Sequence, residues 1–254
     1  MSKTKKNNVM APQMSKQEKR RAEQEQQKQK TRILIVSTVA IVVIIFVGLF
    51  MLASKDSSPA GTDSKPVAFN YSEMMRLGKE DAPVKIVEFG DFKCPACAQF
   101  TGVIKPQIVQ GYVDQNKAAF YFVNLAFIGK DSRTASLAAL SVYHQNQEAF
   151  WKYFDAIYAN QGNEDKEWAT PDFMVSLAKQ LELPVDYDLL RKDIDDRTYA
   201  KELDRDIQLG SDTGVTNTPS LYVNGIKVNE PFNMEAIDAQ IQAATAAAGA
   251  GAAQ

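Results

Sequence analysis

A chain of 254 residues with 45% hydrophobic and 24% charged residues has an ordinary globular balance, which excludes fibrous, collagen-like and wholly disordered architectures. Its two cysteines and one histidine, Cys94, Cys97 and His144, cannot supply four zinc ligands within one chain, and they exclude a disulfide-scaffolded miniprotein. The net charge of -2 divides unevenly: residues 1–32 carry ten Lys/Arg against three Glu, a net +7, which leaves 19 against 28, a net -9, for the rest.

A basic arm of this kind meets either nucleic acid or an anionic membrane surface, and the residues that follow it decide between them. Positions 33–53 are 21 residues without a charge or a proline, dominated by Ile, Val, Leu and Phe. At about 1.5 Å per residue they make about 30 Å of helix, the thickness of a bilayer's hydrocarbon core. The competing reading, a cleaved signal peptide, needs a shorter apolar stretch and small residues at a cleavage site. Met51-Leu52-Ala53-Ser54 is a poor cleavage site, and no cysteine follows to accept a lipid. The expectation is therefore a single uncleaved transmembrane helix. Ten basic residues precede it and only Lys55 lies just after, so the N-terminus is expected in the cytoplasm and the rest outside the cytoplasmic membrane. Residues 15–30 contain no aromatic side chain to stack on a base, and no nucleic-acid partner is expected.

Residues 54–66 are a polar, Ser/Pro/Gly-containing linker, and 244–254, nearly all Ala and Gly, are expected to be a disordered tail. Between them, Val84-Lys85-Ile86-Val87-Glu88-Phe89 reads as a strand, with Glu88 on the face of Val84 and Ile86. Pro95 sits where a helix starts, and the helical pattern that follows should kink at Pro106. Residues 119–127 read as a second, buried strand, and the β-α-β order implies a parallel pair with a right-handed crossover. Four helical segments follow, at 132–145, 148–159, 171–181 and 186–209. The acids Asp193, Asp195, Asp196, Asp204 and Asp206, interleaved with Arg191, Lys192, Arg197 and Arg205, read as a solvated charged face. Two short strands, 219–223 and 226–228, flank Asn224-Gly225, the strongest short-range hairpin signal. A last helix is expected from Met234 to about Ala243.

The chemistry concentrates at Cys94-Pro95-Ala96-Cys97. A thiol is nucleophilic as its thiolate, and a helix N-terminus favours thiolate through its free N–H groups and dipole. Cys94 belongs at that terminus with Lys93 beside it, and Cys97 follows one turn on. This arrangement serves thiol-disulfide exchange: the outer thiol attacks or is attacked, and the inner thiol resolves the mixed disulfide. A structural staple is the bland alternative, but closing a four-residue loop gains only roughly 2 kcal/mol. Half of a metal site shared with a second copy is another. Glu88, six residues before Cys94 on a strand expected to be buried, carries a carboxyl that burial should make less acidic. It is positioned to take a proton from Cys97.

The stretch Glu88-Phe89-Gly90-Asp91-Phe92-Lys93-Cys94-Pro95-Ala96-Cys97 resembles the active-site strand and helix of DsbA-like thiol:disulfide oxidoreductases. Gly214-Val215-Thr216-Asn217-Thr218-Pro219, followed by Leu221-Tyr222-Val223-Asn224-Gly225, is similar to that family's cis-proline loop and hairpin. The anchored architecture resembles the membrane-tethered, Gram-positive, BdbD-like type.

The resemblance covers about residues 67–243. It implies an α/β chain with a thioredoxin fold at 67–129 and 211–243, an inserted helical domain at 130–210, and a single transmembrane helix ahead of both. Cys94 would be the attacking thiol and Cys97 the resolving one, with Pro95 and Ala96 between them completing the redox motif. Thr218-Pro219 would be a cis peptide facing the disulfide and offering the Thr218 backbone to an extended substrate; from the residues alone a trans bond is the default. The implied cofactor is the Cys94-Cys97 redox-active disulfide alone, without metal. The implied partners are reduced, unfolded secreted proteins and a quinone-linked, DsbB-like membrane protein. Two departures from the family's oxidase pattern stand out: Ala96 where the oxidase has His, and Thr218 where Val is common. With them, two alternatives stay open: a reductase or isomerase of the same fold, and a thioredoxin-like metal-binding adaptor.

Overall fold

Five strands form one sheet in the order β1-β3-β2-β4-β5: β1 (Met75–Leu77), β2 (Val84–Gly90), β3 (Ala118–Asn124), β4 (Ser220–Val223) and β5 (Ile226–Val228). The computed structural model describes residues 65–251; the expected basic arm, membrane span and most of the linker lie outside the described residues. Among the described residues no helix is long and apolar enough to cross a membrane.

β2 and β3 run parallel from Val84↔Ala118 to Gly90↔Asn124, and β4 lies antiparallel on the other side of β2, with Glu88 opposite Leu221. Every residue of β3 and all of β2 except Lys85 is buried, as expected of central strands covered on both faces. On one face Val84, Ile86, Phe120, Phe122, Leu221 and Val223 join the larger core with the helices. On the other, Val87, Phe89, Tyr121, Val123 and Tyr222 are covered by Val67, Phe69 and Tyr71 of the segment entering the domain. The Phe69 and Tyr222 rings meet edge to face with centroids 5.5 Å apart. The hairpin turn has Asn224 at φ 46° and Gly225 at φ 82°, the two left-handed residues that an Asn-Gly two-residue loop requires. A Cβ at Gly225 would also collide with the Val67 carbonyl, so glycine serves both the turn and the close approach of the entering segment.

The β2-to-β3 crossover holds α1 (Pro95–Val103), α2 (Lys105–Ile108) and a π-helical turn, Val109–Val113. The expected kink falls at Ile104, two residues before Pro106, whose ring and missing N–H disallow a continuous helix. Five helices separate β3 from β4: α3 (Lys130–Gln145), α4 (Gln147–Ala159), α5 (Pro171–Gln180), α6 (Tyr187–Asp196) and α7 (Ala200–Asp212). The side chains of Asn146, Thr170 and Asp186 cap α4, α5 and α6 by accepting from backbone N–H groups of the first turn. α8 (Met234–Gly251) closes the chain.

Three expectations need correction. The segment 186–209 is two helices, broken where Arg197 takes φ 55°. A continuous helix of that length would run about 36 Å and carry its C-terminal half off the domain. The break instead turns α7 back, so that Asp206 accepts hydrogen bonds from the Asn124 N and Nδ2 at the end of β3, each 3.0 Å. The acids are therefore not all solvated. Asp206 is buried there, and Asp193 is buried accepting from Ser141 Oγ at 2.7 Å. The last helix also runs to Gly251 instead of fraying from residue 244, since alanine has the highest helix propensity. Strand β1, antiparallel to β3 at the sheet edge, had no sequence signal.

Candidate active site

β2 delivers the chain to the site at Gly90, and the next residue fixes the loop. The buried carboxylate of Asp91 accepts N–H bonds from Lys93 (2.8 Å), Phe127 (2.9 Å) and Ile128 (3.0 Å), which ties the β2–α1 loop to the loop after β3. Its own carbonyl accepts from the Cys94 N–H at 2.9 Å. Cys94 is thereby set as the N-cap of α1, with extended backbone and Pro95 at the first helical position. Both cysteines are free thiols; Cys94 keeps 8% of its surface exposed, whereas Cys97, inside the first turn, is fully buried. Pro95 is exposed and Ala96 half-buried at the rim.

The two thiols have opposite acidities. Cys94 is lowered to about 6, first by the hydrogen bond from the Cys97 thiol, then by Thr218 and the backbone N–H groups of Cys97 and Ala96, against the opposing effect of burial. For Cys97, burial comes first and the Cys94 bond and the Glu88 charge follow, and all three push its thiol well above the ordinary range. Lys93 is not among the groups that set these acidities, contrary to the expectation from its place beside Cys94. Its ammonium is buried against Asp131 Oδ1 at 2.7 Å and bonds the Lys166 carbonyl at 3.1 Å. A buried ammonium needs such partners, and the Asp131 carboxylate balances its charge. Asp131 itself is held ionised by the Lys93 bond and by the N–H groups of Trp168 and Ala169, although burial opposes them.

Thr218-Pro219 is a cis peptide bond, and it lies against Cys94: the Cys94 thiol donates to the Thr218 carbonyl at 3.4 Å. The loop is braced by Ser220 Oγ donating to the Asn217 carbonyl at 2.8 Å.

Glu88 sits beneath the dithiol on the face of Val84 and Ile86. It is fully buried, and neither carboxyl oxygen has a hydrogen-bond partner. Burial raises it to about 8; Lys105 opposes that rise, and Cys94 and Asp155 add to it. Three groups that sequence reading gave no role, Asp91, Lys105 and Asp155, belong to this region, as does Tyr158, which reads from the sequence as core of the helical block. The Tyr158 hydroxyl is buried without a partner, and burial, then the charges of Cys97, Glu88, Asp91 and Cys94, hold it protonated. Gly90 makes its room, since a Cβ there would lie 2.5 Å from Phe122 Cε2 and 3.0 Å from the Tyr158 oxygen. The one available sequence signal was Asp155 and Tyr158 sharing a helix stripe with Trp151 and Phe154, at i, i+3, i+4 and i+7 spacing. His144 is remote in function: it stacks on Tyr199 and pairs with Glu202 at 2.7 Å, joining α3 to α7. Among the described residues no group of three or more His, Cys, Asp or Glu is arranged to hold a metal ion.

A thioredoxin-type sheet with an acidic thiol at a helix N-terminus, a buried thiol one turn on and a cis-proline against the first defines a thiol:disulfide oxidoreductase. The thioredoxin family model matches residues 70–243. The chain is 39% identical over 176 residues to a probable disulfide bond formation protein D of Bacillus cereus, covering 68% of this chain and 82% of that protein. Against disulfide bond formation protein D of Bacillus subtilis it is 37% identical over 148 residues, covering 58% and 66%. Among solved structures, oxidised BdbD from Bacillus subtilis superposes with a TM-score of 0.68 at 32% identity, covering 72% of this chain and 99% of that one. DsbA of Chlamydia trachomatis does so with a TM-score of 0.62 at 26% identity, covering 72% and 96%. The chain belongs to the thioredoxin family, among its DsbA-like disulfide bond formation D proteins.

Proposed function

We propose that this protein is a membrane-tethered oxidase that works outside the cytoplasmic membrane and passes its Cys94-Cys97 disulfide to reduced secreted polypeptides. The observation that carries the direction is the opposed acidity of the two thiols. A thiolate stabilised at Cys94 favours the reduced form of the pair, which makes its disulfide a willing electron acceptor.

The steps follow from the geometry. A substrate thiolate attacks the Cys94 sulfur, the S–S bond breaks, and Cys97 departs. A buried thiol that resists ionisation leaves poorly as thiolate, and the Glu88 carboxyl, protonated at neutral pH, supplies the proton. A second substrate thiolate then attacks the substrate sulfur of the mixed disulfide and expels Cys94 as a stabilised thiolate. The pair has then gained two electrons and the one proton given by Glu88, which solvent replaces. The Thr218 backbone, next to Cys94, would pair with an extended substrate segment as an added strand, the substrate replacing the Cys94 thiol at the Thr218 carbonyl. Reoxidation runs the same steps in reverse against a quinone-linked, DsbB-like membrane partner, with Glu88 first giving its proton to solvent and then, as carboxylate, accepting the Cys97 proton. Residues 33–53 would hold the enzyme at the membrane beside that partner, the basic arm lying on the cytoplasmic side.

The test is the redox equilibrium of the detergent-solubilised full chain against glutathione, together with oxidation of a reduced, unfolded protein. A potential well above that of thioredoxin, about -270 mV, and stoichiometric oxidation are expected. A potential at the thioredoxin end without oxidising ability would favour a reductase or isomerase. Tight stoichiometric metal on the reduced dithiol without oxidising ability would favour an adaptor.

A further inference from the structure

The helical insertion is more than a cover for the sheet. Lys105, the first residue of α2, is a buried lysine, 4% exposed, in an otherwise apolar environment. Its ammonium lies 5.3 Å from the Trp151 ring centroid and 4.9 Å from that of Phe154, and it bonds one carboxylate, Asp155 Oδ1, at 2.6 Å. Trp151, Phe154 and Asp155 all come from one stripe of α4. Asp155 is different in kind from the other members of the stripe because 56% of its side chain faces solvent.

The group these charges act on is Glu88. The elements packed around it contribute Cys94 and Cys97 from the start of α1, Lys105 from α2, and Asp155 and Tyr158 from α4, with Asp91 in the loop above. The flanking strands place Phe122 and Leu221 opposite it, and α8 contributes Ile237 and Ile241, none of which carries charge. Among the described residues Lys105 is the cation that acts on the Glu88 carboxyl: its ammonium rests on Phe154, whose ring meets that of Phe122, the register partner of Glu88, at 4.8 Å, and Asp155 acts in the opposite sense. Inside the protein a charge is weakly screened, so how much of the Lys105 field reaches Glu88 depends on how much of it Asp155 cancels.

We propose that Asp155 is a positioning residue for the redox reaction: through its ion pair with Lys105 the inserted helical domain sets the proton affinity of Glu88, and so the rate at which Cys97 gains or loses its proton. This rests on the role of Glu88 in the proposed function. It assigns the insertion a part in the chemistry and gives that part a solvent-facing end, where salt and neighbouring charges reach it.

The experiment follows reduction of the Cys94-Cys97 disulfide by a reduced model peptide, using stopped-flow tryptophan fluorescence on the full chain in detergent from pH 5 to 9.5. Asp155→Asn frees the Lys105 charge to act on Glu88, and the Glu88 limb of the pH–rate profile should move to lower pH. Lys105→Met removes the cation and should move that limb to higher pH, while Lys105→Arg should leave it near the parent. A displacement of about one pH unit, a tenfold change in ionised fraction on the flank, is expected in each direction. A purely structural role predicts lower thermal midpoints with the limb unmoved, and that result, or movement of both variants in the same direction, overturns the inference. Glu88→Gln separates the two levels. If it leaves the profile intact, the proton-exchange role of Glu88 fails. If it flattens the limb while Asp155→Asn leaves it in place, only the inference about the insertion fails. Asp155 is mostly exposed, so the asparagine variant should fold even where the methionine variant does not.

Discussion

Replacing Glu88 with Gln should stabilise the reduced protein relative to the parent by an amount that grows with pH. The carboxyl ordinarily ionises near 4.5, and burial raises it to about 8 in the folded state. A group whose folded-state proton affinity is raised contributes most to stability below the unfolded value, and that contribution is lost as pH rises through the folded one. Between pH 4.5 and 8 the parent therefore loses about 1.4 kcal/mol per pH unit that Gln does not lose. At pH 7 the accumulated difference is about 3 kcal/mol, and above pH 8 it levels off near about 5 kcal/mol. Both are large against a typical domain stability of about 5–15 kcal/mol. Because Gln buries an amide without partners, the absolute offset between the proteins is not the informative quantity; the pH dependence of their difference is. Urea unfolding of both reduced proteins, kept under reductant, at half-unit pH steps from 4.5 to 8.5, analysed by linear extrapolation, measures it. A difference that stays constant across that range refutes the reasoning, because it would mean that Glu88 titrates alike folded and unfolded.

Three further outcomes follow from the same geometry. The potential of the dithiol should fall by about 59 mV per pH unit below pH 6 and by about 30 mV above it, because Cys94 no longer takes up a proton past its lowered value of about 6; fluorescence-monitored redox titration at several pH values reads the break, and a break near pH 9 contradicts the acidity described. Cys97→Ser should accumulate mixed disulfides through Cys94, visible on non-reducing gels, whereas Cys94→Ser should accumulate none, since the buried Cys97 is closed to substrate; equal trapping by both reverses the assigned roles. Asp91→Ala leaves the N–H groups of Lys93, Phe127 and Ile128 without their acceptor, which at about 1–3 kcal/mol per unsatisfied buried donor should lower stability by several kcal/mol; hydrogen exchange at Phe127 and Ile128 should quicken well before the sheet's, and uniform protection loss would assign Asp91 a global role instead.

What could be read from the sequence were features carried by neighbours in the chain. The Cys-Pro-Ala-Cys helix start, the kink before Pro106 and the Asn-Gly hairpin are each decided by residues within one or two turns, and the structure has them where the residues demand. Glu88's burial could be read for a related reason, since the period of a strand fixes its face. The rest depends on residues far apart. Strand β1 has three residues and no alternation of its own; β3 supplies its partner groups. The break at Arg197 is set by where Asp206 must go to meet Asn124, 82 residues earlier. Lys93 looked like an activator of Cys94 because it is adjacent in sequence, yet its charge is taken by Asp131, 38 residues on. Lys105 and Asp155 are separated by 50 residues, and neither carries a motif. Sequence spacing thus located the thiols and the acid below them, while the charges that tune them come from the third dimension.

The departure at Ala96 bears on how an acidic Cys94 is produced without an imidazole between the cysteines. A histidine at that position would add a donor at the rim of the site, where water competes. The donors found are instead the Cys97 thiol and two backbone N–H groups of the first helical turn. They belong to the helix start, and none of them needs a particular side chain at 96. The same turn that exposes Cys94 to substrate and to these donors places Cys97 fully inside the core, where it faces burial and the Glu88 charge. One turn of helix therefore separates two solvents, and the difference in acidity follows from the fold before any residue between the cysteines is chosen. On this reasoning residue 96 adjusts the strength of the exchange, and the asymmetry that gives the exchange its order of steps is a property of the backbone.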